Sequence, residues 1–467
     1  MADSFGGRRA SRARPLAAAV LWIALGCLTL LPPVACGQVL HPGQGPFSHE
    51  KLEHGLESWF DQPYLAGNWG GLRTRLLDMG ITPSVIFVTD VQGNPVGGQT
   101  HGFRETNNLD LDLAMDMDKL AGLSGSQFHV SFSVRNGTSL SDIDIGNVFN
   151  VAQTCCGHTY RLVNVDWTQK LFGDLLEVRG GRIAAGDEFM TSILYGYFLQ
   201  SGIDGNAEGI FFNVPMTVYP VATWGIRAQV TPIPQLYAMA GVYNGDPTLG
   251  QNSKHGVDWT MRGPLFTIGE VGFLLNQTPG ATGLPGNYKV GGYYAAGDYP
   301  DLYFDVQGGA ASVSGLPPLK HPGGNGGFYF LLDQMVFRHG GPESRRGLIP
   351  FVSLVFAPDT SINTMPFFMN GGLVYRGPFA SRPHDRAGLG VVYGEFSSQL
   401  ARSQRASRSA GNPVGIQSYE LALELTYRFQ VTGWLRMQPN LQYIINPGGT
   451  GQIPDALVAG FQLSVNF

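Results

Sequence analysis

The sequence predicts an all-β protein, a transmembrane antiparallel β-barrel of about sixteen strands with a short N-terminal helical segment in the periplasm. Three observations carry that prediction. Apolar and polar residues alternate with period two over long segments, the connections between segments alternate between short and long, and no apolar run of membrane-helix length follows the N-terminal leader.

The leader is the first element. Arg8, Arg9, Arg12 and Arg14 precede an apolar run from Leu16 to Leu31, which Pro32 and Pro33 close before small residues. That order is the pattern of a secretory signal peptide, and about sixteen apolar residues are few for a bilayer span. Residues 1–36 are therefore expected to be a signal peptide cleaved near Ala35 to Gly37, sending the chain to the outer membrane of a Gram-negative cell. Lipid attachment at Cys36 fits poorly, because Pro33 stands where such motifs prefer a leucine-like residue.

Residues 37–63 form a second element. Leu52, Leu56, Trp59 and Phe60 recur at helical spacing among Glu50, Lys51, Glu53 and Glu57. They predict a short amphipathic helix that either caps one end of the barrel or packs on its surface.

The barrel domain is expected over residues 64–467. Leu109, Leu111, Leu113, Met115 and Met117 alternate with Asn108, Asp110, Asp112, Ala114, Asp116 and Asp118. Phe128 to Arg135, Tyr419 to Gln430 and Gly460 to Phe467 repeat the contrast. Successive strand side chains point to opposite faces, so each segment has one greasy and one polar side. At about nine to twelve residues these segments match tilted membrane strands rather than the five or six usual in soluble sheets. Short connections are expected at Lys119 to Gln127, Phe172 to Asp174, Thr231 to Pro234 and Thr432 to Gly433. Long ones are expected at Asp90 to Asn107, Leu140 to Thr159, Met190 to Met216, Pro247 to Arg262 and Ser397 to Ile416. The bland alternative is a large secreted soluble β protein; strand length, leader and loop rhythm together favour the barrel.

Composition agrees. Only 14% of the 467 residues are charged, and 65 are glycine. That is about half the charge of a soluble domain, with the glycine of a turn-rich chain. The formal charge is -5, and without the basic leader it is more negative, which argues against a nucleic-acid partner. Cys155 and Cys156 are adjacent, so they offer neither a disulfide framework nor the ligand spacing of a zinc site. A vicinal disulfide is one reading of the pair, and an incidental loop feature is the favoured one.

Catalytic motifs are missing. His49 and His54 are five residues apart, which points their rings away from each other on a helix and excludes a zincin site. No nucleophile elbow, phosphate-binding loop or dinucleotide fingerprint is present. The expectation is no enzyme, no cofactor and no metal. On the polar parity, Asp110, Asp112, Asp116, His129, Arg135, Glu420, Glu424 and Arg428 would line a water-filled lumen. Opposing charge rows there would orient polar solutes. The plain alternative for each is a solvated wall residue.

The run Tyr64-Leu65-Ala66-Gly67-Asn68-Trp69-Gly70-Gly71-Leu72-Arg73-Thr74-Arg75-Leu76 strongly resembles the opening motif of the carbohydrate-selective porins, the OprB-type family. Further resemblance lies in Gly181-Arg182-Ile183 with Gly186-Asp187-Glu188-Phe189, in Tyr219-Pro220 followed by Trp224-Gly225, and in Gly241-Val242-Tyr243-Asn244-Gly245. The most specific block runs from Trp434 to Gly449, just before the last strand. The resemblance implies a sixteen-stranded outer-membrane barrel through which glucose and related monosaccharides diffuse, with small-molecule sugars and outer-membrane lipid as partners. It further implies that the third outer loop, here Asp187 to Met216, folds into the lumen and narrows it. Site candidates from that loop are Asp187, Glu188, Tyr195, Tyr197 and Gln200, since aromatic faces stack on sugars and carboxylates accept their hydroxyl hydrogens. Arg104, Glu105, Asp110, Asp112, Arg135, Glu177 and Arg179 join them by strand position. Asn68 departs from the usual Asp, and the Cys155 and Cys156 pair is foreign to the pattern. Polyols or acidic sugars remain the alternative solutes, and monomer and homotrimer are both open.

Overall fold

The computed structural model describes residues 59–467 apart from 156, 206, 207 and 279. The leader, most of the expected N-terminal helix, the His49/His54 pair and Cys156 lie outside the described residues.

Sixteen antiparallel strands close on themselves. They are β1 (Ile81–Val96), β2 (Phe103–Asp116), β3 (Ser126–Gly137), β4 (Thr159–Leu171), β5 (Leu176–Ile183), β6 (Thr223–Ile233), β7 (Leu236–Asn244) and β8 (Leu265–Leu275). There follow β9 (Gly286–Ala295), β10 (Asn325–Gln334), β11 (Gly347–Phe356), β12 (Phe367–Arg376), β13 (Arg386–Glu395), β14 (Tyr419–Gln430), β15 (Leu435–Ile445) and β16 (Ala456–Asn466). Strand β1 pairs with β2 on one side and β16 on the other, with Ile86 opposite Asn466 across the seam. A two-residue strand, Phe337–Arg338, extends the edge of β11. A separate hairpin, Tyr299–Asp305 with Pro318–His321, sits in the loop between β9 and β10.

Closure leaves no unpaired edge, which lets a sheet enter lipid. The outward parity is greasy all the way round: Leu111, Ile226, Val242, Val271, Phe330, Leu373, Leu389, Leu425, Leu441 and Phe461 are all exposed. An apolar band of that extent would aggregate a soluble protein. The loop rhythm follows the sequence reading with one correction. The connection from β1 to β2 is only residues 97–102, because the strands continue through the stretch expected to be a long loop, and Val96 and Gly93 still pair. The loop at 296–324, which was not anticipated, is among the longest.

The seam is fastened near the short-turn end by the tract that opens the barrel domain. Arg73, 4% exposed, lies 3.6 Å from the Tyr64 ring centroid and 4.2 Å from that of Trp69. Its guanidinium donates to the main-chain oxygen of Phe467 at 2.5 Å, while Leu65 N–H donates to Asn466 and Phe467 N–H to Val85. Next to this latch the Trp434 indole donates to Trp59 and stacks among Trp59 and Phe60, so the last residues of the N-terminal segment pack on the β14–β15 turn.

The interior is not a plain polar tube. The long loop 184–222, called L3 below, turns inward and buries Phe189, Met190, Leu194, Phe198, Ile203 and Ile210. They pack on inward apolar positions of the wall, among them Phe266, Ile268, Leu331, Ile349, Phe351, Val355, Phe368 and Val392. At roughly 1.5–3 kcal/mol per buried large side chain, six such anchors hold L3 with on the order of 10 kcal/mol. The loop 138–158, L2, lies beside it and contributes Phe149 and Val151 to the same cluster.

Glycine gives this wall room for large rings. Gly272 and Gly291 face the Tyr237 and Tyr329 rings so closely that any Cβ would overlap them. Both phenols donate to the buried Glu270, at 2.7 and 2.9 Å, and Glu270 in turn accepts Met190 N–H of L3 at 2.8 Å. Flat tyrosines over glycines thus position a carboxylate that seizes loop backbone.

Candidate functional site

Three lumenal spaces define the path left open. One, of about 480 Å³, lies between L2 and L3 on the long-loop side and is lined by Arg135, Gln153, Asp187, Tyr195 and Asp204 among others. A second, of about 200 Å³, is bounded by Asn108, Asp110, Arg428, Arg436, Gln438 and Gln462. The two share Gln153, Gly196, Asp204 and Tyr219. Those four residues form the neck between them. A third space, of about 460 Å³, opens toward the short-turn end along Asp116, His129, Asp166, Lys170, Glu177, Arg179 and Arg227.

The neck is made by loops meeting wall. L2 supplies Gln153 and L3 supplies Gly196, Asp204 and Tyr219. The Tyr219 hydroxyl donates to Asp110 of β2, and its ring centre lies 5.3 Å from the Arg135 guanidinium of β3. Arg135 is itself held by L2 carbonyls, donating to Gln153 at 3.1 Å and Cys155 at 3.3 Å. Its charge is therefore fixed in place beside the opening.

Below the neck, a ladder of alternating charge climbs the β2–β6 wall. His129 bridges Asp112 at 3.2 Å and Asp166 at 3.0 Å, and Asp166 takes two bonds from Arg179, both at 2.8 Å. Arg179 also meets Glu188, whose other oxygen accepts from Arg227 at 2.6 Å, and Arg227 reaches Glu177 at 2.8 Å. Such paired groups hold a fixed polar surface and orient hydroxyls without immobilising a solute by net charge.

Comparison with known proteins settles what this arrangement is. Residues 100–467 match the carbohydrate-selective porin, OprB family. The chain belongs to that family. It is 29% identical over 462 residues to Porin B of Pseudomonas aeruginosa, covering 95% of this chain and 97% of that one. Among solved structures it resembles the high-pH structure of Pseudomonas putida OprB, with a TM-score of 0.81 and 28% identity over 87% of this chain and 99% of that one. The low-pH structure of the same protein has a TM-score of 0.56 at 23% identity and repeats the fold. The barrel and its relatives imply the outer membrane, so the long loops of this porin face outward and its short turns face the periplasm.

The residues expected at the site fall in four places. Asp110, Asp112, Arg135, Glu177, Arg179, Asp187, Glu188 and Tyr197 face the lumen or its loops. Arg104 is inward but stands at the outer rim, where it clasps Asp144 of L2 through bonds of 2.6 and 3.1 Å. That guanidinium, helped by Thr100, holds the Asp144 carboxyl below the usual carboxylate range. Glu105 is on the opposite parity, exposed on the outer face and bonded to Asn107, so it does not line the lumen.

Gln200, Glu424 and Glu420, expected in the lumen, are instead buried as partners for the L2 and L3 backbone, and Tyr195 is nearly as buried. Gln200 is fully buried and spends its amide on Phe149 and Gly202. Tyr195 borders the space between L2 and L3 but is only 3% exposed, its hydroxyl held by Ser353 of the wall. Glu424 accepts Leu199 N–H at 2.8 Å and Gln200 N–H at 3.1 Å. Glu420 likewise binds Val148, Phe149 and Gly448 N–H groups within 2.9 Å. Each is a loop anchor. Cys155 is disulfide-bonded, where an incidental loop feature was favoured.

Gln153, Asp204, Tyr219, Arg227, Asp166 and Arg436 belong to the site without having been singled out for it. Strand parity could have found Asp166, Arg227 and Arg436. Nothing in the sequence marks Gln153 or Asp204, because loop folding alone brings them to the neck.

Proposed function

We propose that this porin is a passive channel for monosaccharides such as glucose, which diffuse inward down their gradient. The observation that carries the reading is the neck at Gln153, Gly196, Asp204 and Tyr219, where an aromatic ring, a carboxamide and a carboxylate converge beside Asp110 and Arg135. A pyranose presents an apolar face to such a ring and hydroxyls to such acceptors. Contacts of this kind are weak, so a solute can enter and leave. Asp110, Asp112, Glu177, Arg179, Asp187, Glu188 and Tyr197 are its proposed lining, with Arg104 at the mouth.

Liposomes containing the purified protein should swell in isosmotic glucose or arabinose. Failure to swell in any small sugar, with protein shown to be inserted, would overturn the reading. Residues 1–36 are proposed to be removed on export and 37–63 to remain in the periplasm. N-terminal sequencing of protein taken from outer membranes should then begin near Gly37, and a start at Met1 would refute cleavage.

A further inference from the structure

One wall of the short-turn half of the lumen carries four arginines that make no direct ion pair among the described residues. Arg376 of β12 pairs in register with Arg386 of β13, and Arg386 pairs with Arg428 of β14. On β15, Arg436 lies on the same parity, two residues before the Gln438 to which Arg428 donates at 2.7 Å. Like charges directly opposite one another on neighbouring strands destabilise a sheet. Three guanidiniums in consecutive register therefore oppose folding unless something else selects them.

Their direct hydrogen-bond and ring partners are neutral, although Asp204 acts electrostatically on Arg428 and Asp333 on Arg376 without pairing with them. The Tyr197 ring of L3 sits among them, with guanidinium carbons of Arg428, Arg376 and Arg386 at 5.1, 5.6 and 5.9 Å from its centre. Arg428 donates to the Gly196 carbonyl, Arg386 to the carbonyls of Pro383 and Asp385, and Arg436 to the Ser464 hydroxyl. Arg376 Nε is buried with no partner. Among the described residues no carboxylate forms an ion pair with any of the four, whereas Arg104, Arg179, Arg227 and Arg382 each have one. Arg428 and Arg436 line the same space as Asp110 and Asp204 at the neck, so this end of the cluster borders the solute path.

We propose that Arg376, Arg386, Arg428 and Arg436 form an oxyanion subsite around Tyr197 that takes the carboxylate of a sugar acid, such as an aldonate or uronate. A guanidinium fork matches a planar carboxylate in two parallel bonds, and the Tyr197 ring offers a face to the sugar chain. The carboxylate supplies the direct ion pair that these four arginines lack among the described residues. This rests on the channel reading and narrows its solute class, because a neutral sugar would leave the arginine row uncompensated.

Single-channel current through the full protein tests it, titrated on the periplasmic side with gluconate and, separately, glucose. The half-blocking concentration of gluconate should be about tenfold below that of glucose, the factor that one charged hydrogen bond supplies. In Arg376→Gln and in the double variant R376Q/R386Q the ratio should fall toward one, and the reversal potential in a KCl gradient should move away from chloride preference. Equal block by gluconate and glucose in the unaltered protein overturns the proposal without needing any variant. So does a gluconate preference that survives R376Q/R386Q in protein whose heat-modifiable gel mobility shows an intact barrel. Absence of any conductance would instead refute the channel itself.

Discussion

The two sides of the inner wall are built on opposite principles. Along β2 the inward positions are Thr106, Asn108, Asp110 and Asp112, and β15 and β16 continue with Gln438, Asn440, Gln442, Gln462 and Ser464. Along β10 to β12 the corresponding positions are Tyr329, Leu331, Ile349, Phe351, Val355, Phe368 and Val374, all at most 4% exposed. The polar side meets L2 and L3 through hydrogen bonds such as Gln438 to Tyr197 and Gln442 to Val151, and leaves Asp110, Asp112 and Gln462 partly exposed. The apolar side must be covered, and L3 is its cover. The pore is therefore off-centre, and its width follows from how firmly a loop adheres to a hydrophobic wall.

The largest expected effect comes from loosening that adhesion. Phe198 is 1% exposed, its ring centre is 5.6 Å from that of Phe351, and it lies over Gly388 and Gly390. Phe198→Ala should cost L3 about 3–5 kcal/mol of anchoring while leaving the strand ladder intact. Single-channel conductance should rise, and liposomes should admit solutes larger than monosaccharides. Unchanged conductance would break the link between wall packing and pore width.

The seam offers a second, smaller test on the polar side. Between β1 and β16 there is no L3 to pack against, and Arg73 fastens the ends through a charge-assisted bond to Phe467 and two aromatic faces. Arg73→Ala should lose about 2–4 kcal/mol, from one charged hydrogen bond and two cation–π contacts. The temperature of the heat-modifiable gel shift should fall, with conductance preserved below it. A variant as heat-resistant as the parent would show that ladder pairing alone closes the barrel.

These comparisons also explain how far the sequence could be read. Period-two alternation marked β2, β14 and β16 because only one of their faces is apolar. Gly347–Phe356 is apolar on both faces, one toward lipid and one toward L3, so alternation says nothing there about which side is wet. Parity placed Asp110, Asp112 and Arg179 in the lumen, yet it also placed Glu420 and Glu424 there as solvated groups. Those two are buried because loop backbones return to them from more than 200 positions away in sequence. Glu105 was misplaced by assigning it to the same face as its neighbour Arg104. The motif around Trp69 and Arg73 was recognisable as a family signature; that its arginine latches the seam depends on Phe467, at the far end of the chain.

The smallest effect concerns the outer mouth, where a polar rim meets a polar loop and no apolar packing helps. Arg104 and Asp144 join β2 to L2, and Asp144 also lies over Gly102, where any Cβ would strike its carboxylate. Because Arg104 holds the folded-state pKa of Asp144 below its ordinary value near 4, the clasp contributes stability above that ordinary value. The contribution is lost only as pH falls through the depressed folded value. L2 should therefore stay clasped in mildly acidic medium and loosen only below about pH 4, seen as faster acid-protease cutting within residues 138–158 or as added current noise. Asp144→Asn should remove that pH dependence and make cutting modestly faster at neutral pH, since a pair whose arginine is partly exposed contributes little. If the variant and the parent loosen at the same pH, the clasp does not set the loop, and L2 is held from inside by Glu420 and the apolar cluster alone.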